Sequence, residues 1–205
     1  IFLNHLANQF LILKLLPLLL KSKEPRIIIT SSEVHNPKEP GGKIGLPAGL
    51  GSLEGMKSEK EFLMIGSKSD FSADKAYKDS KLCNILFARE LVRRFQLKGV
   101  LIPVIVWAPG LIIPRNNEGF FRYSRQYNQL GQILFAFLAR DIFKITESAE
   151  RAGELLTYIT LSKDFQTKPF TYLSNKLVGL NKREFSDSTV SEEAQNIYLG
   201  QELWE

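Results

Sequence analysis

An α/β fold, a Rossmann-like doubly wound parallel sheet, is what this 205-residue sequence predicts, and three observations predict it. Two short β-branched runs, Ile27-Ile28-Ile29-Thr30 and Val104-Ile105-Val106, read as strands covered on both faces. Around them, apolar positions recur at helical spacing, above all Leu82, Ile85, Leu86, Leu91, Val92 and Phe95. Helix and strand alternate along the chain with no internal repeat and no interdomain linker. That order implies parallel strands with helices on both faces.

Taken in order, the opening stretch Phe10 to Leu20 is apolar but broken by Lys14 and Pro17. It falls short of the roughly 20 uninterrupted apolar residues of a membrane span, and Lys21 to Pro25 offers no cleavage site. A buried helix of a layered domain is the expectation. Arg26 to Ser31 is the first strand. Residues 33 to 74 read as a long connection, too densely punctuated by proline and glycine for regular structure. A helix follows from Ala76 to Gln96, with Gly99 as its stop. Pro103 to Ala108 is the next strand, its proline tolerable because it opens the run, and Pro109-Gly110 ends it. Residues 116 to 144 interleave aromatic and basic side chains and predict one or two helices over a pocket. Thr146 is the expected N-cap of a helix reaching about Leu161. Phe170 to Leu173 forms a last short strand, and Ser191 with Glu192 and Glu193 caps a final helix ending at Trp204.

Composition narrows the function classes. At 44% hydrophobic and 24% charged, the chain is neither disordered nor of low complexity. Its single cysteine, Cys83, excludes an internal disulfide and a zinc-type cluster, so no metal is expected. Lys and Arg number 27 against 22 Asp and Glu. The resulting +5 is too small and scattered for a nucleic-acid surface.

The chemistry-bearing residues are Tyr77-Lys78-Asp79-Ser80-Lys81. Tyr77 and Lys81, four apart on one helix, lie about 40° apart around its axis and can meet over one ligand. A phenol near pKa ~10 is a poor acid at neutral pH, and an adjacent ammonium favours the phenolate, drawing the pKa toward the working range. Such a tyrosine can exchange a proton with an alcohol or carbonyl oxygen, or give one to carbon. The Ser31-Ser32 pair closes the preceding strand, where open α/β sheets place ligand groups. Pro109-Gly110 closes the next one, and Asn4 lies on the helix before the first.

Asn4, Ser32, Tyr77-x-x-x-Lys81 and Pro109-Gly110, in that order, resemble the short-chain dehydrogenase/reductase family. The resemblance implies a nicotinamide enzyme in which Tyr77 is the proton donor and Lys81 lowers its pKa and holds the nicotinamide ribose. Ser32 would orient substrate or tyrosine, Asn4 would hold a relay water, and Pro109, Gly110 and Leu111 would border the nicotinamide ring. The long segment between Ser32 and Tyr77, with His35-Asn36-Pro37 and Gly41-Gly42-Lys43, resembles the light-dependent protochlorophyllide oxidoreductase branch. So do Lys75 to Asn84 and the tail from Val190 to Trp204. That branch implies NADPH, preferred over NAD by resemblance alone, hydride transfer to a lipophilic pigment, and roles in chlorophyll biosynthesis and photosynthesis. Leu111 stands where those reductases usually carry cysteine, and Ser32 where they usually carry threonine. Leu82 to Leu91 also resembles the retinol-dehydrogenase-like branch, so reduction of another lipophilic carbonyl or alcohol is the alternative.

By the same resemblance, residues 115 to 144 form a substrate lid in which Phe120 and Tyr123 contact substrate, with Cys83 as a weaker substrate-side candidate. Cys83 also reads as a packed small side chain, and His5 and His35 as solvated or capping residues. The Gly-rich phosphate turn of a dinucleotide-binding domain does not occur in the chain. Residues 1–205 are therefore read as the C-terminal portion of a single domain, a fragment without cofactor-loop residues and by itself inactive. A homodimer through the first helix and the 76 to 96 helix, peripheral contact with a photosynthetic membrane, and a cytoplasmic location complete the expectations.

Overall fold

A computed structural model describes residues 1–57, 64–65, 71–115, 128–179 and 182–205. A π-helical turn, Phe2–Leu6, leads into helix α1 (Ala7–Leu19), followed by β1 (Ile27–Thr30), α2 (Ala73–Leu97) and β2 (Val104–Ala108). Then come α3 (Gln129–Phe137), α4 (Ala149–Leu161), the strands β3 (Phe170–Gly179) and β4 (Lys182–Asp187), and α5 (Ile197–Trp204). The sheet order is β1-β2-β3-β4. β2 pairs in parallel with β1 and β3, as the alternation predicts.

The antiparallel β3–β4 hairpin is a departure from the sequence reading. The strand expected over Phe170 to Leu173 runs on to Gly179, and β4 was not expected at all. The reason is solvent. β4 lies at the sheet edge with both faces largely wet, so its sequence Lys-Arg-Glu-Phe-Ser-Asp carries no apolar alternation.

The sheet is covered on both faces. Ile27, Ile29, Val104, Val106 and Tyr172 pack against Leu82, Leu86 and Leu91 of α2 and Leu199 and Leu203 of α5. On the other face Ile105, Trp107 and Leu173 meet Leu155 and Ile159 of α4. All five β2 residues are buried, which explains its unbroken apolar run. Each such side chain contributes about 1.5–3 kcal/mol of transfer free energy. Gly200 lies 3.5 Å, measured from where a Cβ would stand, from the Leu86 carbonyl, so α5 approaches α2 closely.

Three end signals differ from expectation. α2 begins earlier, at Ser72, whose hydroxyl accepts the Lys75 N–H at 3.2 Å. α4 is capped by Ser148, not Thr146: the Ser148 hydroxyl accepts the Arg151 N–H at 3.0 Å. Thr146 instead belongs to an extended segment in which Ile112 bridges Glu147. Near the C-terminus Ser191 caps only a short 3₁₀ turn, by way of the Ala194 N–H, and Asn196 caps α5.

The first helix is the larger correction. No residue of α1 is fully buried, and Phe10, Leu11 and Leu18 are more than half exposed. Phe2–Leu19 is long and apolar enough to cross a membrane by length and composition, with 6% of it buried. Its apolar contacts with the core include Ile12, Leu16 and Leu19, and Asn4 and His5 reach α2. β1 beside it has no strand on its outer edge among the described residues.

The connection after β1 is anchored rather than loose. Lys75 donates to the Gly49 carbonyl at 2.8 Å and to both Asp79 oxygens, while Asp79 accepts the Gly49 N–H at 2.9 Å. Lys78, fully buried, donates to the Ile44 and Leu46 carbonyls and pairs with Asp74. Leu50 N–H reaches Glu193. The start of α2 thus staples residues 44–50 beside the tyrosine that the same helix carries.

Candidate active site

The sequence-predicted residues converge at the carboxyl end of β1, where an open α/β sheet presents ligand groups. Ser32 leaves the strand in extended conformation, and its hydroxyl caps the turn Glu33–His35. Tyr77 lies in the second turn of α2, with the Ser32 side chain acting to favour its phenolate. Lys81, one turn on, places its Nζ 5.4 Å from the Tyr77 ring centroid and donates to the Thr30 carbonyl at 3.3 Å. The helix is fastened to the strand by Ser31 Oγ, which donates to the Lys81 carbonyl at 3.0 Å. Asn4 joins from the π-helical turn: its amide donates to Ser80 Oγ at 3.2 Å, and that hydroxyl donates to the Tyr77 carbonyl at 2.6 Å. A π turn displaces the helical register at the residue it carries.

The electrostatics differ from the sequence expectation. Burial pushes the Tyr77 phenol above its usual range, opposed by the Ser32 hydrogen bond. Burial likewise draws the Lys81 ammonium down. The Lys81 ammonium, beside the phenol ring, donates to the Thr30 carbonyl. A ligand oxygen between the two would bring them into one hydrogen-bonded set.

Pro109, Gly110 and Leu111 leave β2 beside this cluster. Gly110 has φ +90, a conformation that favours glycine. A Cβ there would stand 2.9 Å from Arg183 Nη1 and 3.2 Å from the Asn175 carbonyl. The loop is held by Asn175, whose amide donates to the Pro109 carbonyl at 3.1 Å.

Cys83 is not brought to the site. It is fully buried in the α2 core, and burial pushes its thiol far up. Two positions past Lys81 on α2, Cys83 packs within the core cluster. Phe120 and Tyr123 lie outside the described residues. Of the expected lid, α3 and the π turn Leu138–Ile142 are described, and Leu130, Ile133, Leu134 and Phe137 are exposed on them. His5 and His35 are buried, not solvated. His35 Nδ1 lies 2.7 Å from the Ser32 carbonyl and its Nε2 accepts the Ser191 N–H at 3.2 Å, while His5 Nδ1 meets Asn84. Burial lowers both imidazoles to about 4.

Sequence reasoning passed over Glu33, Glu147, Asn175 and Arg183. Glu33 follows Ser32 directly, accepts the Ser174 hydroxyl, and has its carboxyl raised by burial. The available signal was Ser174-Asn175, two polar residues that break an apolar strand run at its carboxyl end. Two cavities of about 220 and 400 Å³ lie elsewhere, sharing Arg89 and Phe170 at the opposite end of β3. Neither is lined by Tyr77 or Lys81, so the chemistry points to the surface at the strand ends.

No family model matches the chain. It is 32% identical to protochlorophyllide reductase B, chloroplastic, of Oryza sativa subsp. japonica, covering 98% of this chain and 48% of that protein. The chain resembles protochlorophyllide reductases along nearly its whole length. Protochlorophyllide reductase B of Hordeum vulgare is likewise 32% identical, over 98% of this chain and 49% of its own length. The protochlorophyllide reductase of Cucumis sativus is 31% identical with the same coverage. The chain thus spans about half the length of these curated relatives. The crystal structure of an uncharacterized protein from Mycobacterium Paratuberculosis aligns with a TM-score of 0.56 at 20% identity, covering 98% of this chain and 54% of that one, and shares the fold.

Proposed function

We propose that the intact protein is an NADPH-dependent reductase of the short-chain dehydrogenase/reductase family acting on protochlorophyllide or a closely similar lipophilic pigment. The observation that carries the reading is the placement of the Lys81 ammonium 5.4 Å from the centre of the Tyr77 ring, on the helix fastened to the end of β1 by the Ser31 hydroxyl. Likeness to chloroplastic protochlorophyllide reductases over 98% of the chain supports the pigment. On the same basis the location is a photosynthetic compartment rather than the cytoplasm at large, with the exposed lid helix against a membrane surface.

The residues present fit the nicotinamide end of such a cofactor. Among the described residues Lys81 Nζ makes one hydrogen bond, leaving donor hydrogens for ribose hydroxyls. Gly110, without a side chain, lets the loop approach a ring closely. When bound, NADPH would supply the hydride that reduces one double bond of the substrate. Tyr77 would give the accompanying proton from its hydroxyl, Ser32 holding that hydroxyl in orientation. Lys81 would stabilise the phenolate left behind and Asn4, through Ser80, would hold the backbone under Tyr77. The pyrophosphate end and the sheet edge beyond β1 belong, in this reading, to the other half of the relatives' length. The exposed apolar face of α1 is where that half, or a second copy, would pack.

The test supplies the intact protein with NADPH and protochlorophyllide and follows absorbance in light and dark. Conversion in light, lost in Tyr77→Phe, is expected. Failure in light together with dark turnover of a retinal-like carbonyl would replace the pigment reading with that of a carbonyl reductase.

A further inference from the structure

We propose that Asn175 is the positioning residue of the cofactor loop, clamping Pro109-Gly110-Leu111 and tying it to the base of the lid. This rests on the reading of that loop as the nicotinamide border. Asn175 is 3% exposed. Its amide nitrogen donates to the Pro109 carbonyl at 3.1 Å and to Glu147 Oε2 at 2.9 Å, one hydrogen for each acceptor. The Glu147 main-chain N–H donates to the Leu111 carbonyl at 2.7 Å. Both carbonyls that flank Gly110 are therefore held from one side.

Arg183 closes the clamp. Its Nη1 donates to the Asn175 carbonyl at 3.2 Å and its Nη2 to the Ile145 carbonyl, while Gly110 lies against the guanidinium. Ile145 in turn donates its N–H to the Ala139 carbonyl, within the π turn of the lid. A continuous set of hydrogen bonds thus runs from the lid through Arg183 and Asn175 to Pro109.

The consequence for the loop follows from peptide planarity. In a trans peptide the C=O and the following N–H point in opposite directions. With the Pro109 and Leu111 carbonyls turned to the clamp, the Gly110 and Ile112 N–H groups are directed away from it. Asn175 in this way sets which backbone groups the loop presents. A leucine of similar size would fill the space and present nothing to Pro109 or Glu147.

The experiment uses the intact protein and compares wild type with Asn175→Leu, Asn175→Asp and Glu147→Gln. Asn175→Leu is expected to raise the KM for NADPH about tenfold or more while the KM for the second substrate changes little, and to speed hydrogen exchange at the Glu147 amide. Asn175→Asp, whose carboxylate would face Glu147 and a carbonyl, is expected to show a defect that shrinks as pH falls from about 8 to about 5.5 and protonation restores a donor. Glu147→Gln, which keeps an acceptor for the Asn175 amide but loses the charge, is expected to raise the KM for NADPH less than Asn175→Leu does. Should Asn175→Leu fail to fold, the pH profile of Asn175→Asp decides. An NADPH KM within twofold of wild type in Asn175→Leu, or a pH-independent defect in Asn175→Asp, overturns the proposal even where Tyr77→Phe abolishes activity. No NADPH binding by the wild type overturns the functional reading itself, and the assignment of the loop with it.

Discussion

Replacing Asp79 by alanine tests how α2 holds the long connection. Asp79 has no exposed side-chain surface, accepts Lys75 Nζ at 2.9 and 2.8 Å, and accepts the Gly49 N–H. Alanine would leave the Lys75 ammonium, 9% exposed, with the Gly49 carbonyl as its remaining acceptor. An uncompensated buried charge of this kind costs about 3–5 kcal/mol. With a urea slope of ~2 kcal/mol/M the midpoint should fall by about 2 M. The pair itself is no great source of stability, because burial raises the Asp79 carboxyl in spite of Lys75 and the Gly49 N–H. A raised folded-state value means that this group's contribution is full below the unfolded value and declines as pH rises through the folded one. The double variant Lys75→Met/Asp79→Leu should therefore recover to within about 1 kcal/mol of wild type. The assay is urea unfolding of wild type and both variants at constant slope. A single variant losing under about 1 kcal/mol, or a double variant no better than the single, would refute the reasoning.

The remaining predictions concern the site and its surroundings. Tyr77→Phe should lower kcat by about 10²–10⁴-fold with substrate affinity retained, measured by steady-state kinetics of the intact protein. His35, held neutral with a pKa of about 4 against an ordinary 6.5, should contribute stability that is full above about pH 6.5 and lost as pH falls toward 4. The loss amounts to about 3 kcal/mol, and His35→Gln should flatten that part of the midpoint-against-pH curve. Gly110→Ala should cost about 1–2 kcal/mol for its positive φ, and thermal melts unchanged from wild type would argue against that conformation. Trp107→Phe removes the 3.0 Å indole bond to Thr30 Oγ1 and should cost about 1 kcal/mol by chemical denaturation.

Much of the layered core was legible because burial imposes periodicity. β2 is buried throughout and reads as an unbroken apolar run, and α2 shows its helical spacing because one face meets the sheet. The Tyr77–Lys81 pair was legible for the same reason, since helix geometry alone brings i and i+4 together. β4 was hidden, being wet on both faces, and the true cap Ser148 was masked by Thr146 two residues earlier. Cys83 reads as a packed small side chain because two residues past Lys81 turn it to another face of the helix, and it is buried in the core.

By itself the sequence determined the alternation of elements, the parallel core strands and the one helix that carries tyrosine and lysine together, all local or periodic properties. Only tertiary structure decided what surrounds them. It set the Tyr77 phenol in a buried place, which raises it above its usual range. It showed that α1 keeps an apolar face uncovered, and that Asn175, Glu147 and Arg183, distant in sequence from Pro109, hold its loop. Such contacts depend on which strand ends the fold brings to one place, and no spacing along the chain encodes that distance.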